Sequence, residues 1–492
     1  MRVTTSSYIV KFRLLTNEAQ RRELDHRFFL AQKVYNCMVK EARRRVNAYY
    51  RDKAVKSVWL RCRKKSYQLC QEDKSILKQV RDQYGLSEYA FHAFLTVQAR
   101  KYRKHLDSCT IQKIGTAVWQ STSKILFGKG KMIHFKAYDR LLSVEGKRNK
   151  SGIRFKDGML HWLGLEIPVR LRADDLYAQK ALCDRIKYCR IVRRWHGSEF
   201  RYFLQLVLEG TPQNKPKRTV KHAQGGLDLG TSTVAAVSSE GIVFQELGAG
   251  IASIEKEIAR LSRKLDRQRR ASNPQNYDSA GRIKRLRKGE QRVWHYSSGY
   301  RKTRNQLRTL YTRRAAKLKQ SHEILANKIL AKVGNELFVE NMSISGLAKR
   351  SRKDKMNPRT GRPASKKRFG KSVQNHAPSQ FVGILSRKAE ATGGHVSKVN
   401  PYHIKASQYN HFTDTYQKAT LQERWKTLQP GEDVQRDLYS AFLLSNLDPH
   451  NLIDRSRCTA GYPEFKSMHD SVIQTLWREK ASGRRFPSCM GI

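Results

Sequence analysis

Apolar and polar positions change period several times along the chain, and each change predicts a different kind of element. Near the start, Val10, Phe12 and Leu14 alternate with Ile9, Lys11 and Arg13, which predicts a strand at residues 8–14. The period then lengthens. Asn17 with Gln20 predicts a capping box. Phe28, Ala31, Tyr35, Met38 and Ala42 recur at spacings of three and four, one apolar face of a long helix. Its opposite face carries Arg21, Arg22, Lys40 and the run Arg43, Arg44, Arg45. Helices with many basic side chains, among them Arg61, Arg63, Lys64 and Lys65, continue to about 125. From 126 to 220, glycines punctuate short apolar or aromatic segments such as KMIHFKAY, LEIPVRL and FRYFLQLVLEG, which predicts a β-rich region, a small barrel or twisted sheet. The strand within 1–15 would complete that sheet, with the helical block 16–125 inserted. TPQNKPKRTVK, 211–221, reads as a linker.

The second half opens on GGLDLGTSTVAAVSSEGIVF, two strands around a Ser-Ser-Glu-Gly turn at 238–241. Ile251, Ile254, Ile258, Leu261 and Leu265 predict a helix over 251–271. A second long helix reaches about 332 with Leu307, Tyr311, Leu318, Leu325 and Ile329 on one side, so 251–332 reads as a basic helical hairpin. ELFVE (336–340) is a short strand, 379–392 a helix, HVSKVN (395–400) a strand and 433–447 a helix. The tail at 448–492 shows no regular pattern. No internal repeat is present.

Charge changes this picture. Ninety-eight Lys and Arg face 42 Asp and Glu, a net charge of +56 spread along the whole chain. Such a protein repels itself unless a polyanion neutralises it, and a long nucleic acid in an extended channel meets that need. No apolar run has the ~18–20 residues that span a bilayer. The first segment has charge inside its apolar stretch, unlike a signal peptide. Eight scattered cysteines form no Cys-x-x-Cys pair, which fits reduced thiols in a cytoplasm and neither a disulfide framework nor a zinc site.

Three acids stand out against this basic background. In Gly226-Leu227-Asp228-Leu229-Gly230, strand alternation sends Asp228 to the face opposite the leucines. The two glycines are expected to leave room for a metal ion and a phosphate backbone. Glu340 ends its strand. Asp437 shares a helical stripe with Val434, Leu438, Ala441 and Phe442, an apolar setting in which a carboxylate needs a cation. That cation is either a divalent metal or one of the many arginines. Converging carboxylates suit phosphodiester hydrolysis, in which two Mg²⁺ ions can activate water and stabilise the leaving oxygen.

On these residues the chain resembles the TnpB nucleases of insertion sequences and the compact type V CRISPR effectors related to them. YIVKFRLLTNEAQRREL looks like their shared opening. GLDLGTSTVAAV, LFVENMSISGL and RDLYSAFLL look like three successive RuvC motifs and put their acids on Asp228, Glu340 and Asp437. The resemblance implies an α+β multidomain fold. It would comprise an N-terminal β-barrel-like WED domain with a helical REC insertion, then an RNase H-like α/β RuvC domain over 221–447 with its helical hairpin. It implies an RNA-guided DNA endonuclease that binds guide RNA and double-stranded target DNA, reads a short flanking DNA motif and cuts with Mg²⁺, for which Mn²⁺ can substitute. A monomer in a prokaryotic cytoplasm is expected. An unguided, structure-selective RuvC-type nuclease and a guide-directed DNA-binding protein without cleavage are the alternatives. The basic segment 349–372 is expected to contact nucleic acid through Arg350, Arg352, Lys353, Lys366, Lys367 and Arg368. Relatives commonly carry two Cys-x-x-Cys pairs ahead of the third motif. Residues 401–432 contain no cysteine, so a degenerate zinc-finger-like region without structural zinc is expected, with His403 and His411 as polar loop residues.

Overall fold

A computed structural model describes residues 5–492 except 63–67, 129, 198, 213–218, 288, 350–355, 357–360, 362–368, 419 and 421–422. It forms two compact units, Met1–Gln213 and Asn214–Ile492. No described helix is long and apolar enough to cross a membrane. The six basic residues named in 349–372, and the middle of the expected linker, lie outside the described residues.

In the first unit the opening alternation becomes β1 (Ser7–Leu14), which buries Tyr8, Val10, Phe12 and Leu14. Asn17 and Gln20 form the capping box: each side chain accepts the other's backbone N–H, at 2.8 and 3.0 Å. Helix α1 (Glu18–Arg51) follows, and its apolar stripe from Phe28 to Ala42 is buried. Five further helices complete the insertion: α2 (Lys53–Arg61), α3 (Gln71–Gln83), α4 (Glu88–Phe94), α5 (Thr96–Lys101) and α6 (Ser108–Leu126). Then come β2 (Ser143–Glu145), β3 (Arg154–Lys156), β4 (Met159–Trp162), β5 (Leu165–Arg170), α7 (Leu176–Leu182), β6 (Ile186–His196) and β7 (Glu199–Glu209). The strands make one curled, half-barrel antiparallel sheet in the order β2-β6-β7-β1-β5-β4-β3. The first strand therefore lies at its centre. One continuous core joins the sheet to the inserted helices, with Phe28 of α1 packing on Tyr202 of β7 at 5.8 Å between ring centroids.

The second unit is built on β8 (Gln224–Leu229), β9 (Thr233–Ser238) and β10 (Gly241–Glu246), then the hairpin helices α8 (Ala252–Ala271) and α9 (Ser298–Lys332). It continues with β11 (Glu336–Glu340), α10 (Ile344–Ala348), α11 (Gly370–His376), α12 (Pro378–Glu390) and β12 (His395–Val399). These strands form a five-stranded sheet in the order β10-β9-β8-β11-β12, antiparallel from β10 to β8 and parallel from β8 to β12. Short elements follow: α13 (Pro401–Ile404), β13 (Tyr409–Asn410), β14 (Thr415–Tyr416), β15 (Trp425–Thr427) and β16 (Asp433–Gln435). The chain finishes with α14 (Arg436–Ser445) and α15 (Arg455–Ala481). Leu227, Leu229, Leu337 and Val339 pack one sheet face against α9 and α12. The other face meets α14 and α15.

Four expectations are corrected. The stretch 433–447 is not one helix: Asp433–Gln435 pairs with β15, and α14 starts at Arg436. The tail is not irregular. It contains the 27-residue α15, which buries Cys458, Tyr462, Phe465, His469, Ile473 and Leu476 in the core that holds Phe442. This stripe recurs every three or four residues, but Gly461 and Pro463 interrupt the helical signal; Pro463 stands on the exposed side, and the burial of the stripe offsets the cost of about 3 kcal/mol that an internal proline carries. Tyr311 is exposed rather than part of the hairpin core. His411 is buried, ringed by Phe412, Tyr439, Phe442 and Tyr462, so it is a core residue and not a polar loop residue; His403 is exposed.

Candidate active site

Strand register brings the first two acids together. In the parallel pair β8–β11, Phe338 aligns with Gly226 and Val339 with Leu227. One step further, Glu340 stands beside Asp228 on the neighbouring strand, a lateral spacing of about 4.8 Å. Both point to the face that α14 covers, because Leu227 and Val339 occupy the other.

Helix α14 supplies the third acid by a matching of repeats. A Cβ on Gly226 would sit 1.9 Å from the Ala441 carbonyl oxygen and 2.5 Å from the Ser445 nitrogen, so the helix backbone lies directly on this glycine. From Gly226 to Asp228 the strand advances about 6.6 Å, and from Ala441 back to Asp437 the helix advances about 6 Å. With the helix antiparallel to β8, Asp437 arrives over Asp228. The glycine therefore seats the helix. The expectation that Gly226 makes room for a metal and phosphate is corrected on this point.

The electrostatics report the same meeting. Burial first, then the charges of Asp437 and Glu340, hold the Asp228 carboxyl well above the usual aspartate range, while Arg436 and Arg424 oppose them. Burial raises Glu340, opposed by a hydrogen bond from the Ala406 backbone N–H. Burial also raises Asp437, opposed by Arg436, Arg424 and the Gln435 side chain. The nearest Arg436 nitrogen is 3.6 Å from Asp437. Asp437 sits in the first turn of α14, where the helix dipole also favours its charge.

Among the described residues, no group of three or more His, Cys, Asp or Glu side chains is arranged to hold a metal ion. The three acids are thus electrostatic neighbours without forming a ready-made cage. Their chemistry nonetheless suits a hard divalent cation such as Mg²⁺, which takes one or two carboxylates and keeps several waters.

Three participants escaped the motif reading. Arg436 adjoins the acid within RDLYSAFLL. Gln435 caps α14 by accepting the Leu438 N–H at 2.8 Å, and glutamine is not a favoured cap, so it gave no signal. Arg424 comes from the cysteine-free region, eleven or more residues away in sequence. The far end of the basic segment returns close to the site: Ser372 in α11 bonds Thr231, three residues after Asp228, at 3.2 Å.

No family model matches the sequence, and no curated protein matches it. Solved structures do. A Cas12f1–sgRNA–target DNA complex aligns over 91% of this chain and 99% of its own, at 11% identity and a TM-score of 0.43. A CRISPR–Cas12f ternary complex aligns over 86% of this chain and 81% of its own, at 12% identity and a TM-score of 0.26. Neither similarity is close enough to assign residues or activity.

Proposed function

We propose that this chain is an RNA-guided DNA endonuclease whose phosphodiester hydrolysis depends on Asp228, Glu340 and Asp437. The observation that carries the reading is the convergence of three carboxylates, distant in sequence, on one sheet face of a chain with a net charge of +56. Acids that repel one another in a protein this basic require a function, and binding a divalent cation relieves that repulsion. When bound, Mg²⁺ supplies Lewis-acid stabilisation of the charge that develops on the phosphodiester and lowers the pKa of its water.

The chain's own residues divide the work. Asp228 and Glu340 present oxygen donors from adjacent strands, and Asp437 presents one from the helix above. Arg436 and Arg424 moderate the negative charge of the cluster and favour its ionised state. No side-chain general base is needed. The five-strand order, antiparallel and then parallel, supports an RNase H-like, RuvC-type unit. In this reading the curled sheet of the first unit is the WED domain and its helical insertion the REC domain. Guidance by RNA and reading of a flanking DNA motif rest on the sequence motifs, with base pairing carrying target recognition.

The test has two arms. RNA that co-purifies is sequenced, and duplex DNA complementary to it is offered with Mg²⁺. Cleavage of that target is expected, and Asp228→Ala is expected to abolish it while salt-sensitive DNA binding persists. Cleavage unchanged after the RNA is stripped would favour the unguided nuclease. Cutting retained by Asp228→Ala would remove that residue from the site.

A further inference from the structure

Helix α15 contributes something to the candidate site that no sequence motif marks. Its His469 is buried, and Nε2 of that ring accepts the backbone N–H of Gln435 at 2.9 Å. A backbone N–H only donates, so this nitrogen carries a lone pair and the ring's proton resides on Nδ1. Nδ1 lies 2.8 Å from Oδ1 of Asp470, which accepts that proton's hydrogen bond. Lys466 holds the same carboxylate at 2.6 and 2.8 Å. Trp425 and Phe465 enclose the ring, at 6.0 and 5.7 Å between centroids. The imidazole is thus fixed in position, in orientation and in tautomer.

Gln435 is the residue through which this fixing reaches the acids. It is fully buried, its Oε1 caps the Leu438 N–H, and its Nε2 donates to the Met490 carbonyl at 3.3 Å. Its side chain also bonds Asp437. One residue therefore joins the His469 ring, the first turn of α14 and the carboxylate that α14 brings over Asp228.

We propose that His469 is a positioning residue, held by Asp470, that sets the placement of Asp437 through Gln435. This rests on the functional reading above for its consequence, but its geometry stands alone. Without the acceptor, a buried N–H at Gln435 is left without a partner, which is costly enough to move the cap or admit water. Asp437 is two residues from that cap and moves with it.

The acceptor, not the ring's bulk, carries the effect, and two variants separate them. His469→Phe keeps a ring and removes the acceptor. His469→Gln places an amide oxygen near the position of Nε2. Three readouts apply to the full-length protein: hydrogen exchange at the Gln435 amide, Mn²⁺ binding to the nucleic-acid-free protein by calorimetry, and kcat against KM for guided cleavage. In His469→Phe, exchange at Gln435 is expected to accelerate on the order of tenfold. Mn²⁺ binding weakens and kcat falls while KM for DNA holds. His469→Gln restores all three toward wild type. If His469→Phe does not fold, Asp470→Asn, which changes a half-exposed side chain, must accelerate the same amide. The proposal is overturned if Gln435 exchange is unchanged in the folded variants, or if His469→Gln is as impaired as His469→Phe. A wild-type protein that cuts no guided target would defeat the functional reading, while exchange at Gln435 would still decide the positioning role.

Discussion

Gly226→Ala offers a sharp perturbation because the structure sets its size. The new Cβ would lie 1.9 Å from Ala441 O, 2.5 Å from Ser445 N and 2.7 Å from Leu444 Cβ, and the first two are backbone atoms that cannot rotate away. Relief requires α14 to move off β8 by about 1.1–1.5 Å, and Asp437 rides on that helix one turn away; a misplacement of ~1 Å can cost ~10²-fold in rate. Overpacking of this kind typically costs ~1–3 kcal/mol. At roughly 2–4 °C per kcal/mol for a body of this size, the melting temperature falls by several degrees. The assay is single-turnover cleavage of a guided duplex at saturating protein, beside a thermal melt. Loss of rate should far exceed the loss of folded protein at the assay temperature, with DNA binding retained. A variant that cuts at the wild-type rate would refute the claim that helix seating on Gly226 sets the spacing of the acids.

Other consequences follow from the buried groups. Asp228 has a raised pKa in the folded state, so the unfolded chain ionises first as pH rises and folding is penalised above about pH 4. Asp228→Asn should therefore stabilise the metal-free protein at pH 7–8 and lose that advantage at pH 3; melts in EDTA that show destabilisation at neutral pH would count against it. His411 is pushed down to about 4, chiefly by burial. The unfolded chain gains that proton first as pH falls below about 6.5, so this contribution is lost on the way down to 4. His411→Phe should flatten the stability profile over that window, measured by denaturant titration at pH 4.5 and 7.5. Binding of nucleic acid should weaken steeply with salt, by ~10³-fold or more between 50 and 200 mM if six or more phosphates are contacted; a flat salt dependence would contradict the charge argument.

The sequence exposed periodic features well and crossing features poorly. Alternation in β1 and the three-four spacing in α1 are local, and a half-buried strand or helix writes its solvent side directly into the chain. Gly226 illustrates the opposite case. A glycine beside an acid is equally consistent with a ligand and with a helix, and the helix that decides it lies more than two hundred residues away. The apolar helical stripe predicted around Asp437 includes Val434. Val434 belongs to a strand, and the acid owes its burial to the first turn of α14 lying on β8. Helix α15 is obscured by a proline whose cost of about 3 kcal/mol inside a helix is offset by the apolar stripe that α15 buries. His411 was hidden because a histidine surrounded by aromatic side chains looks, in one dimension, like any polar loop residue.

The central place of β1 in the first sheet has a consequence for how that unit is made. Residues 7–14 leave the ribosome well before their partners on both sides, which belong to β5 and β7 and end at Arg170 and Glu209. At ~5–20 residues per second, the strand waits on the order of 10–40 s for its second neighbour. During that interval the edge that β7 will pair is open, the other edge is open too until β5 emerges, and Val10, Phe12 and Leu14 have no finished core. Helix α1, directly attached and bearing the complementary apolar stripe, is the first surface available to cover them. A chain stalled before β7 should therefore be far more prone to aggregate than one stalled after it.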